Sequence, residues 1–220
     1  MKAIRSLAAA VAVLTLVPVG AKAQAVRPFQ NSWFWGLKAG STLMSAPSQS
    51  NVTSAMAGID WLITRDRGGL YVSFDQSFLS QSAVLADSAN PTDTPSQVSL
   101  KNMRRFTILL MAYPGSSLRY HPYAGLGMTY NQVGSVTPAT PYTSADQSTL
   151  AQNIIQQYES VFAPAVMLGV QMQFRNSGLF VQGMGWPANQ NFFLYNSRSF
   201  NASIEIGLRY NFGSSIEDDR

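Results

Sequence analysis

The stretch RSFNASIEIGLRYNF, residues 198–212, decides the fold, because large apolar side chains alternate with polar or small ones along its length. The even-numbered positions are Phe200, Ala202, Ile204, Ile206, Leu208, Tyr210 and Phe212. Since successive side chains of a strand point to opposite faces, the pattern predicts one long strand with an apolar face and a polar face. A soluble protein would bury the apolar face in its core. An outer-membrane barrel would turn it toward lipid and line its lumen with the polar face.

The same alternation recurs elsewhere in the chain. It is clear over residues 118–131 and 161–175, and both runs reach the roughly 9–11 residues that a strand needs to cross a bilayer. Strands of globular proteins usually stop near about 5–6 residues. Weaker strand patterns cover residues 33–44, 53–64, 70–79, 98–113 and 179–186. The chain therefore contains eight predicted strands, and the pattern leaves open which faces of 98–113 and 179–186 point inward.

Short and long connections alternate between these strands. The short ones have the composition of tight turns and lie at residues 65–69, 114–117 and 175–178. The long ones are polar and lie at residues 46–51, 80–97, 132–160 and 187–191. This asymmetry is typical of outer-membrane barrels, with short periplasmic turns and long extracellular loops. We predict an all-β protein, an eight-stranded antiparallel up-and-down transmembrane β-barrel with both termini in the periplasm.

The N-terminus has the features of a secretory signal. Lys2 and Arg5 precede an apolar run, and Ala21-Lys22-Ala23 fits the small-x-small rule for a cleavage site. We predict a signal peptide at 1–23, a periplasmic segment at 24–31, the barrel at 32–213 and a polar tail at 214–220. The alternative, a membrane-spanning helix, needs about 20 apolar residues, and this run is shorter and contains Pro18.

The composition excludes several classes of function. Removal of residues 1–23 leaves 12 basic residues against 11 acidic ones, so no basic footprint for nucleic acid remains. The chain has no cysteine and therefore no disulfide framework. Only 12% of the residues are charged, against the roughly 25% typical of soluble proteins. A protein whose outer surface faces lipid would show this deficit.

Aromatic residues give an independent indication of a membrane barrel, because they favour the two membrane–water interfaces. One set lies near the predicted periplasmic strand ends: Trp33, Trp35, Trp61, Tyr120, Tyr210 and Phe212. A second set lies toward the other ends: Phe78, Tyr130, Phe162 and Phe200. The two sets predict two aromatic girdles.

Two motifs resemble a known family. The segment RYHPYAGLGMTYN, residues 119–131, looks like the fifth-strand element of small outer-membrane barrels of the OmpA, OmpX, OmpW and opacity-porin type. GLRYNF, residues 207–212, looks like their C-terminal assembly signal, with Gly207, Tyr210 and Phe212 at the motif positions. The resemblance implies a Gram-negative outer-membrane location and folding by the outer-membrane assembly machinery. One departure is that GSSIEDDR, residues 213–220, follows the signal, which usually closes the chain.

The inward parities of the strands predict a polar network in the lumen. Its members are Lys38, Asp60, Asp75, Arg119, His121, Glu205 and Arg209, with Arg175 at the rim. An interior of eight strands is just wide enough for side chains to fill it. The network is therefore interpreted as a satisfied polar plug, and the alternative is a gated ion path. Glu205 is central, since its strand closes on the strand that carries Lys38.

No motif indicates enzyme chemistry, so we predict no catalytic residue, cofactor or metal site. His121 is the only histidine and lies on the predicted periplasmic side, whereas the lipid A-modifying barrels use a histidine with a serine near the outer leaflet or in external loops. The longest loop does contain a helix signal: a capping box at Ser144 and Gln147 precedes apolar residues at 150, 154 and 158. That helix is interpreted as a packing element across the barrel mouth, with a lid or partner-binding element as the alternative.

These observations predict a monomeric outer-membrane barrel with a structural, surface-interaction or weak pore role. Its predicted partners are outer-membrane lipids and, during biogenesis, the assembly machinery; no nucleic acid is expected, and the extracellular partner is left open. The OmpW resemblance implies an alternative, passage of small hydrophobic molecules into the bilayer. Lipid A modification is a third reading.

Overall fold

The computed structural model describes residues 28–46, 49–85, 96–115, 119–138, 159–188 and 200–215, together with residues 153 and 156. Eight strands form one closed antiparallel barrel in which each strand pairs with the next and β8 returns to β1. The strands are β1 Ser32–Ala46, β2 Gln49–Arg65, β3 Gly68–Leu85, β4 Ser96–Ala112, β5 Tyr120–Pro138, β6 Ser160–Phe174, β7 Ser177–Pro187 and β8 Phe200–Ser214. The predicted fold class is confirmed. We call the end that holds residues 66–67 and the start of β1 the turn end, and the opposite end the loop end.

Several strands extend further toward the loop end than the pattern predicted. β3 continues to Leu85 and β5 to Pro138, and the pairing of β1 with β2 persists to Ala46 opposite Gln49. The connections expected at residues 80–97 and 132–160 are correspondingly shorter. The alternation signal ended early because side chains beyond the membrane have no lipid to face, so nothing requires an apolar parity there.

The outer surface is apolar, whereas the interior contains a charged and polar middle together with apolar side chains. Leu37 is 70% exposed, whereas its neighbour Lys38 is 5% exposed. In β8, Glu205 is completely buried and Ile206 is 51% exposed, which is the facing that the alternation predicted. Exposed aromatic residues lie near both ends of the barrel: Trp33, Trp35, Tyr120, Tyr210 and Phe212 at the turn end, and Phe78, Phe162 and Phe200 toward the loop end.

A β-bulge explains why the facing of β4 was unreadable. Two residues of β3, Phe78 and Leu79, lie opposite the single residue Asn102 of β4, whose φ is 61°. Leu100 points inward before the bulge. The inward residues after it have the opposite parity: Met103, Arg105, Thr107, Leu109 and Met111. A bulge re-aims the side chains that follow it, so no single alternation runs through β4.

The facing of β7 was blurred for a different reason. Its inward residues include the large apolar side chains Phe180, Met184 and Trp186, and its outward residues include Gly183. The size and polarity of its two faces are thus partly reversed relative to the other strands. Register with β8, which pairs Gln182 with Glu205, sets the facing instead.

Backbone hydrogen bonds tie neighbouring connections together at the turn end. The Tyr113 amide donates to the Arg67 carbonyl (2.8 Å), and the Gln173 amide donates to the Arg119 carbonyl (2.8 Å). Two further bonds join Asn211 to Asn176 and Ser215 to Asn31, each at 2.7 Å. The turn end is therefore a closed rim rather than a set of independent turns.

The barrel extends slightly beyond its predicted C-terminal boundary. Ser214 pairs with Ser32, and the Ser215 hydroxyl donates to the Thr64 carbonyl at 3.0 Å. The predicted signal peptide and the rest of the polar tail lie outside the described residues. So do the capping box and apolar residues of the predicted loop helix. No helix among the described residues is long and apolar enough to cross a membrane.

Candidate functional site

Six ionised side chains fill the middle of the barrel interior, and their charges balance. Three are basic and three are acidic, and all are at most 5% exposed: Lys38, Arg105, Arg209, Asp60, Asp75 and Glu205. They come from β1, β2, β3, β4 and β8. We call this set the ionic layer. Its members lie inside because the strand parities that put apolar side chains against lipid leave these positions facing the lumen.

Glu205 accepts hydrogen bonds from four sides. Its Oε2 atom lies 2.8 Å from Lys38 Nζ and 2.7 Å from Gln182 Nε2. Its Oε1 atom accepts from Arg105 and, at 2.7 Å, from the Ser203 hydroxyl. Both oxygens of this fully buried carboxylate are therefore satisfied by charged or polar donors.

Asp75 shares the same two cations. One of its oxygens lies 2.9 Å from Lys38 Nζ, and the other lies 2.9 Å from the Arg105 guanidinium. The Ser73 hydroxyl donates to Asp75 Oδ2 at 3.2 Å. Lys38, Arg105, Asp75 and Glu205 thus form a four-membered group in which each cation contacts each anion.

Asp60 and Arg209 form a second pair. Nε and one terminal nitrogen of Arg209 donate to the two Asp60 oxygens at 3.0 and 3.1 Å, which is the two-pronged geometry that favours arginine over lysine. Arg209 also donates to Gln171 at 3.0 Å and to Gln182 at 3.1 Å. The Arg209 guanidinium lies 3.8 Å from the centroid of the Phe180 ring.

Tyr71 and Gln182 join the two groups. Lys38 Nζ donates to the Tyr71 hydroxyl at 2.8 Å, and Gln182 Nε2 lies 3.1 Å from the same oxygen. Gln182 Oε1 accepts from the Tyr123 hydroxyl at 2.8 Å as well as from Arg209. Tyr71 and Gln182 therefore connect the two groups of the ionic layer into one hydrogen-bonded network inside the barrel.

The arrangement is suited to closing the lumen. Moving a charge into a low-dielectric interior is strongly unfavourable unless it is paired and hydrogen-bonded, and here every charge of the ionic layer has an opposite partner. Removing one member would leave its partners buried without compensation. The network is thus a reason for these side chains to stay in one arrangement.

The structure brings together five of the seven residues predicted for the lumen network: Lys38, Asp60, Asp75, Glu205 and Arg209. Arg119 lies elsewhere: it precedes β5, is exposed, and its guanidinium lies 5.7 Å from the centroid of the Phe174 ring. The predicted strand began at residue 118, two residues before the start of β5 at Tyr120. His121 is buried, but it lies at the turn end and stacks on Phe29 rather than joining the network. Arg175 is exposed in the turn after β6.

Arg105, Tyr71 and Gln182 are among the network members that sequence reasoning missed. Arg105 follows Arg104 directly, and only the bulge at Asn102 decides which of the two points inward. Tyr71 and Gln182 are uncharged at neutral pH, so a network predicted from charged residues and the histidine did not include them. The alternation of β3 could have found Tyr71, because it has the same parity as Asp75.

The residues of the predicted assembly signal occupy distinct environments. Tyr210 and Phe212 are exposed on the outer surface, with ring centroids 5.1 Å apart in an edge-to-face arrangement. Gly207 faces the interior side, where an added Cβ would meet the Phe180 ring and the Leu37 carbonyl. The role of these residues in assembly stays a prediction.

Among the described residues, no group of three or more histidine, cysteine, aspartate or glutamate side chains is placed to hold a metal ion. The carboxylates of the ionic layer are occupied by lysine and arginine instead.

Solved structures share this architecture. Neisserial surface protein A aligns with a TM-score of 0.54 at 11% identity, over 82% of this chain and 97% of its own. The attachment invasion locus protein Ail of Yersinia pestis gives 0.49 at 9% identity, over 84% of this chain and all of its own. OprG from Pseudomonas aeruginosa gives 0.48 at 11%, over 84% and 98%. No family model and no curated protein matches the chain.

The similarity to Neisserial surface protein A confirms the fold predicted from the alternation. In a closed barrel, the backbone hydrogen-bonding groups of each strand pair with those of its neighbours, so no strand edge is left open. The belt of exposed apolar side chains needs lipid around it. The protein is therefore an integral outer-membrane barrel.

Proposed function

We propose that this protein is a closed, non-conducting barrel that serves as a structural and surface-interaction element of the outer membrane. The observation that carries the proposal is the ionic layer, because three cations and three anions fill the middle of the lumen and bind one another. Ions would have to break these pairs to pass. A weak pore role is accordingly less well supported than a role at the cell surface.

The orientation proposed is the one expected from the sequence, with the turn end in the periplasm and the loop end outside. The supporting observation is the difference between the two ends: β2 and β3 are joined by two residues, Asp66 and Arg67, whereas β3 and β4 are separated by residues 86–95. Because the chain has no cysteine, single cysteines at positions 66 and 93 would report sidedness. An impermeant maleimide added to intact cells should label the Asp93→Cys variant and not the Asp66→Cys variant.

Planar-bilayer recording tests the closed lumen. Purified wild-type protein should give no large, stable conductance steps, and Glu205→Ala should give channels more often because it leaves Lys38 and Arg105 with Asp75 as their only carboxylate partner. Ile206→Ala, a neighbouring change on the lipid side, is the matched control and should behave as wild type. Large, stable channels in the wild-type protein would overturn the proposal.

A second candidate, passage of small hydrophobic molecules, has one observation in its favour. The interior near the loop end is lined by apolar side chains rather than charges, among them Met44, Val52, Leu79, Leu100, Met103 and Val133. Uptake of an apolar dye into liposomes with and without the protein would separate this candidate from the first. Uptake that falls when Leu100 is changed to Gln would favour it.

An enzymatic role has less support. The sole histidine lies at the turn end, its ring is stacked on Phe29, and neither of its nitrogens has a hydrogen-bond partner among the described residues. Lipid A modification would need a general base near the opposite end, where the lipid A-modifying barrels have their histidine. Mass spectrometry of lipid A from cells with and without the protein tests this reading directly.

A further inference from the structure

The turn end of the lumen contains a small aromatic chamber, which we call the turn-end pocket. It is formed by Phe34 of β1, Tyr113 after β4, and His121 and Tyr123 of β5. The side chain of Phe29, from the segment that precedes β1, is 6% exposed and lies among them. This side chain is delivered by a short segment outside the strands, so it is not fixed there by the barrel ladder.

Phe29 is held on three sides by rings. It stacks on His121 with a centroid distance of 3.9 Å and an interplanar angle of 9°. Tyr113 meets it edge-on at 5.0 Å, and Phe34 meets it at 5.5 Å with an angle of 38°. The edge-to-face contact with Tyr113 is one of the preferred geometries of aromatic pairs, and the parallel His121 ring covers one face of Phe29. The pocket therefore has the shape and surface for a planar aromatic group.

Within the described part of the chain, these hydrogen bonds join the segment to the barrel. The Pro28 carbonyl accepts from the Ser32 hydroxyl at 2.7 Å and from Asn211 Nδ2 at 3.1 Å. The Phe29 carbonyl accepts from the Thr64 hydroxyl. Outside these contacts the segment is joined to the rim through Gln30 and Asn31. Release of residues 28 and 29 would break these hydrogen bonds and ring contacts, and it would leave the pairing of β1 with β2 and β8 intact because that pairing starts at Ser32.

The occupied pocket contains polar atoms that it does not satisfy. The two imidazole nitrogens of His121 and the hydroxyl of Tyr113 have no hydrogen-bond partner among the described residues. Burying such groups without partners is unfavourable, and contact with water or with a polar ligand removes the penalty. In the occupied pocket, favourable ring contacts of Phe29 are offset by the unfavourable burial of unpartnered atoms of His121 and Tyr113. Release of Phe29 would remove this burial penalty.

We propose that the turn-end pocket is a binding site for a planar aromatic group that carries a hydrogen-bonding function, and that Phe29 is its tethered, reversible occupant. When Phe29 leaves, His121 and Tyr113 become accessible from the turn end. A free ligand of this class binds by stacking on His121 and by hydrogen bonding to the atoms that Phe29 leaves unsatisfied. The ionic layer closes the other side of the pocket, so the ligand binds without crossing the barrel.

Chemical modification of His121 tests reversibility, because a single histidine makes the readout unambiguous. The folded protein in lipid vesicles permeable to the reagent is treated with diethyl pyrocarbonate, and mass spectrometry follows the peptide that contains His121. Wild-type protein should be modified much faster than it unfolds globally, and Phe29→Ala at least tenfold faster than wild type. Trp35→Ala removes an exposed aromatic side chain from the outside of the same end and should match wild type.

Two reaction rates of His121 would contradict a reversible release of Phe29. Wild-type His121 that reacts only as fast as the barrel unfolds would show a permanent plug, and folded Phe29→Ala that reacts at the wild-type rate would show that Phe29 shields nothing. If Phe29→Ala does not fold, Thr64→Val serves instead, since it keeps the ring and removes one bond to the segment. It should react several-fold faster than wild type, and an unchanged rate would count against the proposal.

Indole tests the class of ligand. It is planar, aromatic and carries an N–H donor, so it should slow the modification of His121 in Phe29→Ala at least fivefold at saturating concentration. Cyclohexanol, which can donate a hydrogen bond but is neither planar nor aromatic, should not. Protection by both compounds alike, or by neither, would overturn the assignment of an aromatic site.

Discussion

Glu205 and Ile206 are neighbours in β8, yet the two faces of the strand place them under opposite physical rules. Glu205 is completely buried and makes four polar contacts, whereas Ile206 is half exposed on the outer surface. Outside, lipid accepts apolar side chains singly, with no need for a specific partner. Inside, a charge is tolerated only with its partners. The outer face is therefore specified by residue type, and the inner face by pairing.

The largest effect should come from breaking the pairing inside. We expect Glu205→Ala to lower the free energy of unfolding by about 3–5 kcal/mol, because it leaves Lys38 and Arg105 sharing Asp75 alone. The double variant Lys38→Met, Glu205→Gln keeps the Arg105–Asp75 ion pair, in which one positive charge balances one negative charge. It should be less destabilised than Glu205→Ala. Urea titrations of the protein refolded into lipid vesicles measure both. A double variant weaker than the single one would show that pairing does not govern the interior.

The next effect tests the outer face. Ile206→Arg puts a charge at mid-height against lipid and should cost about 2–4 kcal/mol, whereas Tyr120→Arg at the turn end should cost at most about 1 kcal/mol. The penalty depends on depth because arginine near the interface reaches water. The same titrations compare the two. Equal penalties would mean that position 206 does not lie deeper in the membrane than position 120, contrary to the position of the aromatic girdles.

A smaller effect is expected at Gly207, on the inner face of β8. An added Cβ would press on the Phe180 ring, against which Arg209 lies, and on the Leu37 carbonyl. Gly207→Ala should therefore destabilise the folded barrel by about 1–3 kcal/mol, as overpacking of a filled interior usually does. Gly183→Ala is the matched control, since the nearest atom to its added Cβ is 3.8 Å away. Similar unfolding curves for the two variants would contradict this packing role.

The smallest effect should follow truncation after Ser215. Ser214 and Ser215 belong to the closed rim, so deletion of residues 216–220 should leave heat-modifiability on gels unchanged. Deletion from residue 213 removes the rim contacts and should shift the folded band. A tail deletion that abolished the folded band would place part of the assembly information beyond the aromatic signal.

The outer face could be read from the sequence because its rule is local. Alternation in β8 and β5 requires only a strand and a lipid-facing side, so strand number, closure order and the facing of Glu205 and Ile206 followed. The inner face could be read only in part. Whether Arg104 or Arg105 points inward depends on the bulge at Asn102, and the contact of Arg105 with Glu205 crosses the barrel. Such contacts depend on register and diameter, which no short window of sequence contains.

The N-terminal segment shows the same limit more sharply. Phe29 has no periodic neighbours, so the sequence indicated only a periplasmic segment, while the structure places its ring against His121. A non-periodic residue acquires its position from the tertiary fold alone. His121 is buried, as its inward parity predicted, but it lies at the turn end against Phe29 and makes no hydrogen bond to the network among the described residues.

The ionic layer also makes completion of the barrel depend on completion of the chain. Of its six charges, β1 to β4 supply Lys38, Asp60, Asp75 and Arg105, and β8 alone supplies Glu205 and Arg209. A chain that stopped before β8 would hold two cations against one anion in one group and an unmatched Asp60 in the other. The last strand to be synthesised delivers the one anion and the one cation that are missing. A truncated product therefore leaves charges in both groups without their partners.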